Sequence, residues 1–283
     1  MTTALLFPGQ GSQTSSMREL VAAEAPDLLE LCIERIGEDP FPRVDESTAF
    51  AQPAIYCASI AGLRRLRPDA PDAYAGHSMG EITALAAAGA LTIEDGLRLV
   101  VVRGAVMAVA AKKMGGSMLA LLKGDLQQAQ ELVRAHGATI ANDNAPGQIV
   151  VAGPVSALDG VAADARGQGL RTLRLDVTGA FHSPAMAPAM ERFCEVLKTF
   201  TFTEPSAPVY SGVTAQPFAD VCGELALSLV SFVRWRETMV ALARAGADVF
   251  VDVGPGEVLA RLVARNVPGA TARTLEESDA LHA

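Results

Sequence analysis

YAGHSMGEITAL, residues 74–85, passes from a short apolar stretch through a serine bracketed by Gly76 and Gly80 into an alanine-rich segment. A G-x-S-x-G run where a strand meets a helix makes a turn too crowded for side chains at its glycines, and it holds the serine hydroxyl clear of the backbone. The expectation is a strand over 73–76, a nucleophile at Ser78 and a helix through Ala88. Alone, the motif is weak, because a tight turn also favours a small residue at position 78.

Outward from that turn, strands and helices alternate. ALLF (4–7) has the apolar run of a buried strand, ended by PGQGSQ, and residues 16–37 have helical spacing interrupted at Pro26. AQPAIYCASIAGLRRL (51–66) is expected as a helix with Pro53 in its first turn, and Thr92 as the cap of a long helix over 93–113. Between residues 116 and 179 the texture changes to SMLALL, DLQQAQELVRAHG, ATIAN, QIVVAG, VSALDGVAADARGQG and LRTLRL. That order, β-α-β-β-α-β, is the ferredoxin-like arrangement, with natural edges at Gly115, Gly116 and Gly179. Beyond it come a helix over 184–198, a strand near PVYSG and helices around Leu225 and Met239. The strand DVFVDV, a GPG turn and a last helix, EVLARLVARN, complete the pattern. The fold class is therefore α/β: residues 1–115 and 180–283 form a large domain with a mainly parallel sheet, and 116–179 form an inserted small subdomain.

Composition narrows the class of function. The chain has 283 residues, 50% hydrophobic and 19% charged, with a formal net charge of −9. It can bury a sizeable core, and its charge opposes a nucleic-acid surface. Four scattered cysteines with no C-x-x-C pair indicate neither a zinc site nor a disulfide framework, so no metal or cofactor is expected. The N-terminus lacks a basic leader, and the longest uncharged apolar run, residues 82–93, is too short to cross a bilayer. A cytoplasmic enzyme with no membrane partner is the expectation. GPG at 254–256 lacks the lysine of a phosphate-binding loop and the third glycine of a dinucleotide site.

A nucleophilic serine needs a base, and the chain has only four histidines. His77 adjoins Ser78 in the turn and should point elsewhere; His136 ends a small-subdomain helix, where it suits the dipole; His282 is next to the last residue. His182, in TGAFHSPAM, lies where the chain leaves the small subdomain, in the kind of loop that carries function. The bland alternative is an interdomain histidine with structural hydrogen bonds.

FPGQGSQ, GHSMGE, the arginine of VVVRG, NDNAPGQIVVAG, GAFHS and DVGPGEVL occur in that order. Together they resemble the malonyl-CoA:acyl carrier protein transacylases, which include the acyltransferases of fatty-acid and polyketide synthesis, over roughly residues 4 to 265. The resemblance implies an α/β-hydrolase-like large domain carrying the ferredoxin-like insertion. It implies Ser78 as nucleophile and His182 as base and then acid, a dyad without an aspartate. The backbone N–H groups of Gln10 and Met79 are implied as the oxyanion hole. A backbone carbonyl in ALSLVSFVRW, matched best by Ser228, is implied to orient His182; many relatives have glutamine there and a Pro-Val pair where this chain has Phe232 and Val233.

Arg103 is implied to hold the free malonyl carboxylate, because a guanidinium fork pairs bidentately with a carboxylate. The alternative for Arg103 is a surface charge on a long helix, against which its apolar neighbours argue. Phe181 in AFH goes with malonyl in this family, and Met79 points the same way; Asn142 and Gln52 are further candidates for the pocket wall. The expected partners are malonyl-CoA and a holo acyl carrier protein, with a fatty-acid or polyketide synthase complex behind it. Hydrolysis of acyl groups by the same dyad, a malonyl transferase role in malonate decarboxylation, and a non-catalytic module are the alternatives. A carboxylate clamp disfavours an editing hydrolase, and the intact serine and histidine disfavour the module.

Overall fold

The computed structural model describes residues 1–68 and 70–279; His282 lies outside them. β1 (Thr3–Phe7) leads to α1 (Met17–Glu24), α2 (Pro26–Ile36) and α3 (Thr48–Leu66), then β2 (Ala73–Gly76), α4 (Gly80–Ala87) and α5 (Ile93–Met114). β3 (Ser117–Leu122), α6 (Leu126–His136), β4 (Thr139–Ala145), β5 (Gln148–Gly153), α7 (Val155–Gly167) and β6 (Arg171–Arg174) follow as the smaller unit. The chain returns through a 3-10 turn (Pro184–Met186) into α8 (Ala187–Leu197), β7 (Val209–Tyr210), α9 (Val221–Leu227) and α10 (Trp235–Arg244). β8 (Val249–Asp252), α11 (Val258–Asn266), β9 (Thr271–Thr274) and α12 (Leu275–Asp279) end the described chain.

The large sheet has the order β7-β2-β1-β8-β9, and each of its pairings is parallel. Such strands are covered on both faces. In β1, Leu5 and Phe7 enter the core beneath α3 and α5, while Ala4 and Leu6 join Trp235, Met239 and Phe250 on the other face. The small sheet, β4-β5-β3-β6, is antiparallel in every pairing. Leu119, Leu121 and Val151 of that sheet pack with residues of α6 and α7, such as Leu132 and Val161. The alternate residues Met118, Ala120 and Val150 join the main core. Its period-2 strands thus dock the small sheet onto the larger unit.

Two expectations need correction. α3 begins at Thr48, where Ser47 accepts the Ala49 N–H (3.2 Å), so Pro53 sits inside the helix and not in its first turn. The segment after α11 is not the end of the regular structure: β9 and α12 follow. β9 is four residues long and poorly buried, so it lacks the alternation that marks a half-buried strand.

Candidate active site

β2 ends in the turn expected around Ser78. The His77 N–H donates to the Phe7 carbonyl (2.9 Å), the Gly80 N–H to the His77 carbonyl (3.0 Å), and α4 starts at once. A Cβ on Gly76 would collide with the Gly80 carbonyl, and one on Gly80 with the Phe7 carbonyl, which is why glycine stands on both sides of the serine. Ser78 itself has φ 57°, a left-handed conformation that a non-glycine residue holds only at a cost. The turn thereby fixes its Oγ.

His182 reaches Ser78 from the loop that leaves the small unit. Gly179 N–H donates to Gly116 O (3.2 Å), the Ser183 hydroxyl to Ala180 O (2.6 Å), and His182 also takes a left-handed φ, 56°. Ser78 Oγ and His182 Nε2 are 2.8 Å apart, and His182 Nδ1 is 2.8 Å from the carbonyl of Ser228. A carbonyl can only accept, so Nδ1 carries the proton and Nε2 is left to accept from the serine hydroxyl. The Ser228 carbonyl is free for this because α9 ends there, and the last carbonyls of a helix have no partner within it. Burial, and next the Arg103 charge, lower the His182 pKa to about 3, which keeps the ring a free base.

Arg103 lies on α5, 1% exposed. Its Nη1 donates to Gln52 Oε1 (2.8 Å) and its Nη2 to Ser78 Oγ (3.1 Å). Gln52 is held in turn, its amide donating to Thr48 Oγ1 (2.8 Å) and Met107 Sδ (3.3 Å). Burial lowers the Arg103 pKa to about 10, so the group is still charged at neutral pH. Among the described residues no carboxylate lies within ion-pair distance of it.

Ser78, Arg103 and His182 share a cavity of about 340 Å³. Met79, Met107, Met118 and Phe181 supply its apolar wall, and Gln10, Gln52 and Asn142 line it as well. Among the described residues no chain acceptor takes the N–H of Gln10 or Met79. A larger groove, about 730 Å³, opens on the other side of His182 between α6 and the 230–234 segment, with Arg134, Val230, Phe232 and Arg234 along it.

The other described histidines stand apart from the nucleophile. His77 donates from Nε2 to Asn144 Oδ1 (2.9 Å) and packs on Trp235, the ring centroids 5.3 Å apart; Asn142 Nδ2 is 3.5 Å from the same nitrogen. His136 bonds Asp164 (2.7 Å), joining α6 to α7. Glu81 closes the GHSMGE motif, where no local pattern signals its role. It is 1% exposed, its Oε1 accepts the Gly212 N–H (2.7 Å), and burial raises its pKa to about 7 against the pull of that bond and of Arg103. Met107, one turn beyond Arg103 on the same helix face, was legible from spacing; Met118, from the other sheet, carried no such signal.

Residues 36–276 match the family described as acyl transferase domain. The chain is 36% identical to a malonyl CoA-acyl carrier protein transacylase of Synechocystis sp., over 100% of this chain and 99% of that protein. It is 35% identical to the polyketide biosynthesis malonyl CoA-acyl carrier protein transacylase PksC of Bacillus subtilis, with 92% and 95% covered. The crystal structure of an acyl-carrier-protein S-malonyltransferase from Burkholderia pseudomallei superposes with a TM-score of 0.93 at 30% identity, covering 100% of this chain and 99% of that one.

Proposed function

The chain belongs to the acyl transferase domain family, and from that premise we propose that it moves a malonyl group from malonyl-CoA, through an ester on Ser78, to the phosphopantetheine thiol of an acyl carrier protein. The observation that carries this reading is Arg103: a buried guanidinium, 3.1 Å from the Ser78 hydroxyl, with no carboxylate paired to it among the described residues. A buried charge without a partner is costly, and a ligand carboxylate removes the cost. Malonyl offers one two bonds from its thioester carbon; an acetyl or a plain fatty acyl group does not. That disfavours an editing hydrolase.

The chemistry follows from the proton positions. His182 Nε2 takes the Ser78 proton as Oγ adds to the thioester carbonyl, and the Nδ1–H bond to Ser228 holds the ring as it becomes charged. We assign the developing oxyanion to the N–H groups of Gln10 and Met79. Collapse breaks the C–S bond, and His182 returns the proton to the departing sulfur. The carrier thiol then repeats the sequence on malonyl-Ser78. The groove beyond His182 is the route we assign to the pantetheine arm of either substrate. Phe181 and Met79 close the acyl end, while Gln52 holds Arg103 and Asn142 completes the wall. The acceptor is proposed to serve a fatty-acid or polyketide synthase complex in the cytoplasm, a setting consistent with four free cysteines. No described helix is long and apolar enough to cross a membrane.

Brief mixing with malonyl-CoA should add a malonyl group to the peptide containing GHSMGE, seen by intact-mass and peptide analysis, and should add none in Ser78→Ala. The adduct should form without a carrier protein, since the two substrates use the site in turn. A cysteine adduct would refute the dyad.

A further inference from the structure

We propose that Arg103 restrains Ser78 until a substrate carboxylate arrives, so that the malonyl group itself releases the nucleophile that attacks it. This rests on the transfer reading above and adds a second stage of selection to it, in the chemical step and not only in binding.

The hydrogen bonds around Oγ leave it one assignment. Ser228 fixes the proton of His182 on Nδ1, so the Ser78 hydroxyl donates to Nε2 at 2.8 Å. Arg103 has only donors, so its Nη2, 3.1 Å away, occupies a lone pair of Oγ. Attack on a thioester draws electron density out of that oxygen. The charged donor holds one of the two lone pairs of Oγ while the hydroxyl proton is directed at Nε2, so the oxygen is less free to turn a pair to the thioester carbon, and acylation is slowed.

The surroundings keep this restraint strong. The guanidinium is 1% exposed, its Nη1 is tied to Gln52 Oε1, and the strained turn holds Ser78 in place. Glu81 is the carboxylate whose charge reaches Arg103, but it forms no ion pair with it. A malonyl carboxylate meets the guanidinium as its thioester carbon meets Oγ, neutralising the charge and drawing the donors off the serine. An acetyl group fits the same cavity and leaves the restraint in force.

The test uses p-nitrophenyl acetate, an uncharged ester, with the full chain, following the burst of p-nitrophenol and the acetyl mass on the Ser78 peptide. In that step the Oγ–C bond forms, the bond to p-nitrophenolate breaks, and the serine proton passes to His182. Arg103→Ala and Arg103→Met should acetylate about tenfold faster than the parent, the order expected when a charged hydrogen bond to the nucleophile is lost. Formate, small enough to share the cavity, should accelerate the parent with a saturable dependence and leave Arg103→Ala unchanged. Equal or slower acetylation in the variants, or inhibition of the parent by formate, would overturn the proposal and leave Arg103 a clamp alone. If circular dichroism shows the variants misfolded, the formate titration of the parent decides. A parent that shows the formate effect but forms no malonyl-Ser78 would instead refute the transfer reading.

Discussion

Arg103→Ala leaves a malonyl carboxylate to enter the cavity with no cation opposite it. Truncating one member of a buried charge pair costs about 2–5 kcal/mol, and about 1.4 kcal/mol is tenfold. kcat/KM for malonyl-CoA should therefore fall by about 30-fold to several thousand-fold, while that for acetyl-CoA should rise; equal losses on both substrates would make Arg103 structural. His182→Ala should lose about 10²- to 10⁴-fold in acylation rate, the usual range for an acid-base group. His182 also marks the acid side of stability. Its pKa of about 3 in the fold lies below the ordinary 6.5, so between those values the unfolded chain binds a proton that the folded chain does not. Its contribution is complete above pH 6.5 and is lost as pH falls toward 3. Melting temperatures of His182→Gln measured from pH 6.5 down to 4 should decline less than those of the parent.

At the scale of elements, helix ends supply the groups that position others. The end of α9 presents the Ser228 carbonyl to His182, and the Ser228 hydroxyl merely closes back on Leu225 O (2.8 Å). Ser228→Ala should thus keep acylation within about tenfold of the parent, since a lost neutral hydrogen bond is worth about 1 kcal/mol; a larger loss in stopped-flow acylation would give the hydroxyl a role of its own. At the other helix end, Asp252 closes β8 and its Oδ2 accepts the N–H groups of Leu259 (2.8 Å) and Ala260 (3.2 Å), capping α11. Burial outweighs those bonds and raises its pKa from 3.8 to about 7. The folded chain therefore keeps a proton that the unfolded chain loses across that window, and this contribution is present below pH 4 and lost as pH rises to 7. The melting temperature of Asp252→Asn relative to the parent should rise between pH 5 and pH 8.

The whole molecule places one sheet's side chains in the other unit's cavity. Met118 faces the main core from the small sheet and lines the space beside Ser78 and Phe181, so the docking of the two units sets the size of the acyl pocket. Met118→Ala should admit methylmalonyl-CoA, raising its kcat/KM relative to malonyl-CoA, and should cost about 2 kcal/mol in denaturant unfolding as a core truncation. An unchanged ratio would show that the wall lies elsewhere. Gly115, Gly116 and Gly179 remain our proposed boundaries for the small subdomain. The contact between units extends past them, because Val233 N–H donates to Ala141 O (2.8 Å) and Asp143 N–H to Val233 O (2.9 Å).

The order of strands and helices, the turn at Ser78 and the ferredoxin-like insertion were legible in sequence because each depends on neighbours: a glycine where a Cβ collides, a period of 2 or 3.6, a cap at a helix start. The α/β class followed from that order. His182 stood out as a candidate because the chain has few histidines and this one sits at a junction. β9 was not legible, since four poorly buried residues carry no alternation and become a strand only by pairing with β8. Nor were the burial of Glu81 against Gly212, the bond of His77 to Asn144, or Met118 in the cavity wall. Those pairings join residues far apart in the chain. No local pattern encodes them, because they exist only once the packing of two sheets and their helices has set the distances.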